Sequence, residues 1–274
     1  MKNKIYFIIG LLTVIFFSSC QDVVDIPLNT DKPRLVIDAN INWIKGTLGN
    51  NQTITLSTTT DFYTNVIPAV SGATVFITNS SNVIFNFIET PNTGMYVCSN
   101  FVPVIDQTYS LTVIHNGQTY TATETLKSVA AITSVTQEIQ TGLGADFLKI
   151  KTFFNDPADA DNYYLYKYKF TKKLKPEYSL DDDLFFQGNP FYSLVLAEDT
   201  KSGEKVEITH YGISKAYFNY MTILLSVSGS SGGGPFQTPP APVKGNIKNE
   251  TNFDNYPQGY FRLSEADVTN YTIQ

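Results

Sequence analysis

Reactive side chains are scarce in this chain. Its 274 residues include two cysteines, two histidines and one tryptophan, and charged residues make up only 16%. If Cys20 is covalently used, as argued below, Cys98 has no disulfide partner. It then reads as a buried structural thiol within Met95-Tyr96-Val97-Cys98-Ser99. A cysteine nucleophile needs a histidine and an orienting group, and His115 and His210 are the only histidines. The chain has no H-E-x-x-H, no G-x-S-x-G and no Cys/His cluster with metal-ligand spacing. No catalytic residue, metal ligand or cofactor is therefore assigned. Basic residues are outnumbered 19 to 25, for a formal net charge of −6. That balance disfavours nucleic acid and anionic headgroups as partners. Only one long apolar run exists, Ile5 to Phe17, and it falls short of the roughly 20 residues a helix needs to cross a bilayer.

That run has its own meaning. Lys2 and Lys4 precede it, and Phe17-Ser18-Ser19-Cys20 closes it. A charged start, an apolar middle and small residues before a cysteine form a secretory signal with a lipid-attachment site. The expectation is a signal peptide over 1–19 and a mature chain that starts at an acylated Cys20. Losing Lys2 and Lys4 would leave the mature chain still more acidic. Several acyl chains on one residue would hold the protein to a membrane, since each buried methylene contributes about 0.8 kcal/mol. Residues 20–32 follow as a tether, with Asp22, Asp25 and Asp31 among turn-forming residues such as Pro27.

From Arg34 the pattern changes to period two. Leu35, Ile37, Ala39, Ile41 and Trp43 alternate with Val36, Asp38, Asn40 and Asn42. Further strands are expected over Thr53–Thr58, Ala73–Asn79, Val83–Ile88, Met95–Ser99, Thr108–Ile114 and Thr119–Thr125. Asn116-Gly117 between the last two suits a type I′ hairpin, whose central residues need positive φ. About seven short strands in this span predict an immunoglobulin-like or transthyretin-like β-sandwich over 33–127. A second β-rich domain is expected over 132–274. Its strands are Phe147–Phe154, Tyr163–Phe170, Tyr192–Ala197, Lys205–Tyr211 and Gly259–Leu263. One amphipathic helix is expected over 213–227, where Ile213, Tyr217, Tyr220, Met221, Leu224 and Leu225 form a stripe and Ser214 can cap the start. A Gly/Pro-rich loop, 228–245, follows it. The fold class is thus mainly β with a single helix.

Candidate contact residues are aromatic. Tyr163, Tyr164, Tyr166, Tyr168 and Phe170 share one strand, and Phe185, Phe186, Phe191 and Tyr192 form a second group. Exposed aromatics can stack on sugars or anchor a protein partner. Tyr164, Tyr166, Tyr168, Phe185 and Phe186 are the ligand- or partner-binding candidates, with Pro235 and Phe236 of the long loop. The alternative is sheet packing. Asp156, Asp159 and Asp161 cluster in an acidic turn, which serves either as plain turn chemistry or as a calcium ligand set with the wrong spacing for an EF-hand. Asp181-Asp182-Asp183 reads as a solvated loop.

Several segments together carry a resemblance: Ser19-Cys20 with its acidic tether, Pro33-Arg34-Leu35-Val36-Ile37-Asp38-Ala39, Ser71-Gly72-Ala73-Thr74-Val75, Asn155-Asp156-Pro157 with Asn162-Tyr163-Tyr164, Gly245-Asn246-Ile247 and Gly259-Tyr260-Phe261. The chain resembles the Bacteroidota lipoproteins grouped as domain-of-unknown-function family 4249, over nearly all of its mature length. Acidic residues after the lipidated cysteine also resemble the signals that direct such lipoproteins to the outer face of the outer membrane. The resemblance implies a surface lipoprotein encoded beside a TonB-dependent receptor, acting as its non-catalytic accessory or ligand-binding partner. It supplies no site residues. A free-standing glycan- or peptide-binding lipoprotein, or an adhesin, is the alternative.

Mass spectrometry of the native product is expected to find fatty acids on Cys20 and no residue before it. An unmodified Cys20 thiol, or a product recovered from the cytosol, would remove the anchor.

Overall fold

Alternation along the chain after Pro33 becomes β1 (Leu35–Ile44). Ile37, Ala39 and Ile41 are fully buried, and Asp38, Asn40 and Asn42 occupy the opposite face. In the computed structural model the described residues are 32–61, 64, 66–141, 146–197, 200–228 and 243–274, with the backbone alone for Thr141, Asp146 and Phe147. The expected signal peptide, Cys20, nearly all of the tether and most of the 228–245 loop, with Pro235 and Phe236, lie outside them.

β1 pairs antiparallel with β2 (Gln52–Thr58), which pairs with β5 (Met95–Cys98). β4 (Ile84–Thr90) turns the corner. Its last residues pair with β5, and its first with β3 (Thr74–Asn79). β3 continues to β6 (Thr108–His115), β7 (Gln118–Thr125) and the short β14 (Lys248–Asn249). The two halves of this curl face each other, so inward residues of both build one core. Ile54, Leu56, Val75, Ile77, Phe85, Tyr96, Tyr109 and Leu111 belong to it. This is the immunoglobulin-like sandwich expected from the sequence. Its β6–β7 hairpin turns on Asn116 at φ 48° and Gly117 at φ 73°, as a type I′ turn requires.

The second half adds β8 (Ile132–Thr141), β9 (Asp146–Asn155), β10 (Tyr163–Phe170), β11 (Glu177–Asp182), β12 (Pro190–Leu196), β13 (Lys205–Ile213), α1 (Lys215–Val227) and β15 (Gln258–Thr272). β12, β9 and β8 form a separate three-stranded sheet. The other four strands extend the first sheet to twelve, in the order β11-β10-β13-β15-β1-β2-β5-β4-β3-β6-β7-β14. A second core holds Ile150, Phe154, Tyr164, Tyr166, Tyr168, Val195, Val206 and Ile208 between the small sheet and this extension. α1 covers the other face of the extension through Tyr217 and Met221, against Leu165, Tyr211, Tyr260 and Ala266.

Several expectations are corrected here. The helix starts at Lys215, because Ile213 finishes β13. Ser214 is its N-cap, and its hydroxyl accepts from Tyr217 N at 3.2 Å. Asp181 and Asp182 pair with β10 as part of β11, and Asp183 is buried, so that run is not a solvated loop. The late strand reaches Thr272 rather than Leu263. The cores cross the boundary drawn between the expected domains, since Ile247, Phe261 and Leu263 belong to the first core, and Pro33–Gln274 is one compact unit. The reason is β15, which lies parallel to β1 from Val36 to Ile44 and antiparallel to β13. Its carboxylates also hold the segment expected to link two domains. Glu265 accepts from Val129 N at 2.9 Å and pairs with Lys45 at 2.8 Å, and Asp267 accepts from Ile132 N at 2.7 Å.

Near β15's start the backbones come very close. Gly259 has φ +100°, and a Cβ there would lie 2.1 Å from the Ile37 carbonyl oxygen. Only glycine combines that φ with that approach. Asn246 completes the contact, its amide donating to the Phe261 carbonyl at 2.8 Å and accepting from Phe261 N at 2.9 Å. Gly72 has a similar φ of +76° but nothing within 4 Å of a Cβ. Gly72→Ala is therefore expected to cost about 1 kcal/mol of backbone strain, and Gly259→Ala clearly more. Urea midpoints of the two variants check the order.

The second core contains an unusual base. His210 is fully buried, stacked on Tyr166 with ring centroids 4.2 Å apart and packed by Phe154 and Tyr164. Neither ring nitrogen makes a well-formed hydrogen bond among the described residues. Burial lowers its pKa to about 3, which the Ala130 backbone offsets little. Its unfolded value is about 6.5, so it is neutral in both states at pH 7. Below about pH 6.5 the unfolded chain takes a proton that the folded chain refuses. Its contribution is a loss of stability as pH falls, at up to about 1.4 kcal/mol per pH unit. Burial raises the pKa of Asp181, so that group acts in the opposite sense. His210→Phe isolates the histidine. The variant is expected to lose less stability than the parent between pH 6.5 and 4, as read by urea midpoints at each pH.

Candidate functional site

Tyr164, Tyr166 and Tyr168 do not form a contact surface. They point into the second core and are at most 1% exposed. β10 sits under the small sheet on the face of Tyr164, Tyr166 and Tyr168, while on the other face α1 packs near Tyr163 and Leu165 and leaves Lys167 half-buried and Lys169 exposed. Burial pushes the Tyr168 hydroxyl up to about 12 and raises those of Tyr164 and Tyr166 as well. Phe186 is buried too, stacked on Phe191 at 3.7 Å. Phe185 alone of the described candidates projects outward, 92% exposed.

The acidic turn is likewise split. Asp156 turns inward, where it accepts from the Tyr164 hydroxyl at 2.6 Å and from Gly188 N at 2.9 Å. Burial, then the nearby Asp183 and Asp159, raises its pKa against those hydrogen bonds. Asp159 and Asp161 are exposed and line a cleft of about 370 Å³ with Asp106, Lys127 and Lys215. No group of three or more His, Cys, Asp or Glu suited to a metal occurs among the described residues.

The residues that do converge lie on the outer face of the twelve-stranded sheet. β1 presents Asp38, Asn40 and Asn42, β2 presents Thr53 and Thr55, and β15 presents Arg262 and Ser264. Period-two geometry forces this, since their neighbours Ile37, Ala39, Ile41, Ile54, Phe261 and Leu263 fill the first core. Lys167 of β10, Tyr178 of β11, Tyr211 of β13 and Tyr217 of α1 close the other side. All of these but Ser264 line a groove of about 350 Å³.

Arg262 is its centre. The residue is 4% exposed. Its Nε donates to Asn40 Oδ1 at 3.0 Å, Nη1 to Ser264 Oγ at 2.8 Å and Nη2 to Asn42 Oδ1 at 2.7 Å. The guanidinium also lies over the rings of Tyr211 and Tyr217, 4.6 and 5.2 Å from their centroids. Burial raises the Tyr217 hydroxyl pKa, and the adjacent Arg262 partly counters it. Every hydrogen-bond acceptor named here is neutral, and no carboxylate lies within 4 Å of Arg262 among the described residues. A buried cation without a counter-charge is costly unless something else neutralises it. Asp38, on the groove wall, is bound instead to the Asn40 side-chain amide.

Sequence reasoning missed this site. Its signal was the run Asp38-Ala39-Asn40-Ile41-Asn42, where every outward position of a strand carries an acid or amide, and an arginine embedded in Tyr260-Phe261-Arg262-Leu263. Nothing in the linear order shows that β1 and β15 are neighbours.

No curated protein matches this chain. Among solved structures, a two-domain fibronectin type III segment from chicken tenascin is similar at 10% identity, covering 66% of this chain and 91% of that one with a TM-score of 0.22. The family model described as "Domain of unknown function (DUF4249)" matches residues 21–269, nearly the full length, and the chain therefore belongs to that family.

Proposed function

We propose that this chain is a non-catalytic binding lipoprotein, anchored through Cys20 at the outer membrane, facing outward, and working beside a TonB-dependent transporter. The observation that carries the binding role is the groove around Arg262. It gathers amides, hydroxyls, tyrosine rings and an unneutralised cation on one sheet face. Such a surface holds a ligand by hydrogen bonds and charge. The anchor rests on the basic start, apolar run and Ser19-Cys20 junction, and the transporter on the family resemblance. Residues 21–32, fully extended, span on the order of 40 Å. Confinement to a membrane plane at that reach raises the protein's effective concentration near a receptor without a strong direct contact.

A free-standing glycan- or peptide-binding lipoprotein, or an adhesin, would use the same groove, and the partner separates the two. After mild detergent extraction, affinity purification of the full-length chain is expected to bring down an outer-membrane receptor. Cys20→Ala should abolish membrane association and with it the co-purification. Recovery of the unmutated chain as a free monomer in every pull-down would favour the free-standing reading.

A further inference from the structure

We propose that the Arg262 groove takes an acidic sugar, a polyhydroxylated ligand whose carboxylate sets itself against Arg262 and Lys167. This deepens the binding role proposed above and rests on it. Lys167, like Arg262, makes no ion pair among the described residues. Asp38 is the only acid lining the groove, so two cations face one carboxylate. This local excess of positive charge sits on a chain with a formal net charge of −6. An anion is drawn to this face and repelled by most others.

Three of the five guanidinium N–H donors hold neutral side chains, which fixes the cation in place before any ligand arrives. A carboxylate would replace missing counter-charge rather than compete with an existing one. The remaining lining fits the rest of a sugar. Asn42, Thr53 and Thr55 offer hydrogen-bonding groups on adjacent strands about 4.8 Å apart. Tyr178, 41% exposed, offers a ring face at the groove's edge. The volume of about 350 Å³ accommodates a small ligand.

The test titrates the full-length chain in detergent micelles, by calorimetry, with uronic- and sialic-acid oligosaccharides, each beside its neutral counterpart. At least one acidic member is expected to bind saturably and about tenfold or more tighter than its neutral twin, as a charge-assisted contact implies. Lys167→Met should weaken that binding by a similar factor while leaving the melting temperature unchanged. Asp38→Asn, which removes the only opposing charge, should strengthen it. Arg262→Gln should abolish it, although that variant also disturbs packing. Failure of every acidic member to bind more tightly than its neutral twin, or indifference to Lys167→Met, overturns the proposal. Co-purification of a receptor would still stand in that case, so the two readings fail separately.

Discussion

A last strand lying beside the first is the constraint on which the rest of this protein depends. β15 hydrogen-bonds β1 along one edge and β13 along the other, so its inward residues serve more than one core. Phe261 and Leu263 fill the first, Tyr271 packs against the second, and Tyr260 and Ala266 meet α1. Glu265 and Asp267 then fasten the segment between the halves to the same strand. What composition suggests as two modules on a linker is one body with a shared spine. The unprotected backbone of that spine is why glycine is needed at 259, where the Ile37 carbonyl leaves no room for a side chain.

The same arrangement produces the groove. A strand whose alternate residues are committed to a core must place the others on the opposite face. With β1 and β15 adjacent, two such polar sets meet, and Asn40 and Asn42 reach Arg262 across the strand pair. α1 supplies the wall through Tyr217, and its position follows from Ser214, whose hydroxyl caps the helix and donates to Glu124 of the first sandwich at 2.9 Å. Burial raises the pKa of Glu124, against the hydrogen bonds it accepts. Site and scaffold are thus built from the same few strands.

Local patterns were legible in the sequence wherever one face of an element is wet. The alternation of β1, the Asn116-Gly117 turn and the stripe of α1 all emerged near their expected places. Reading failed where a second layer covers a strand. β10 looked like an aromatic binding strand because its alternation is aromatic, and only the small sheet and the helix on its two sides explain why Tyr164, Tyr166 and Tyr168 are interior. β15 was cut short because Ser264, Glu265 and Asp267 look like the end of a strand. Their polarity is spent on other segments of the chain, which no local window reveals. The groove was hidden for the same reason, since Asn40 and Arg262 are 222 positions apart.

The parallel pairing of opposite ends also governs when the molecule can mature. β1 has no neighbour on one side until Gln258–Thr272 has been synthesised and delivered. Closing so long a loop precedes the contacts that compensate for its entropy, which makes such folding slow. The sheet therefore closes only after β15 has reached β1, and until then the waiting edge of β1 is a surface that a chaperone would have to shield.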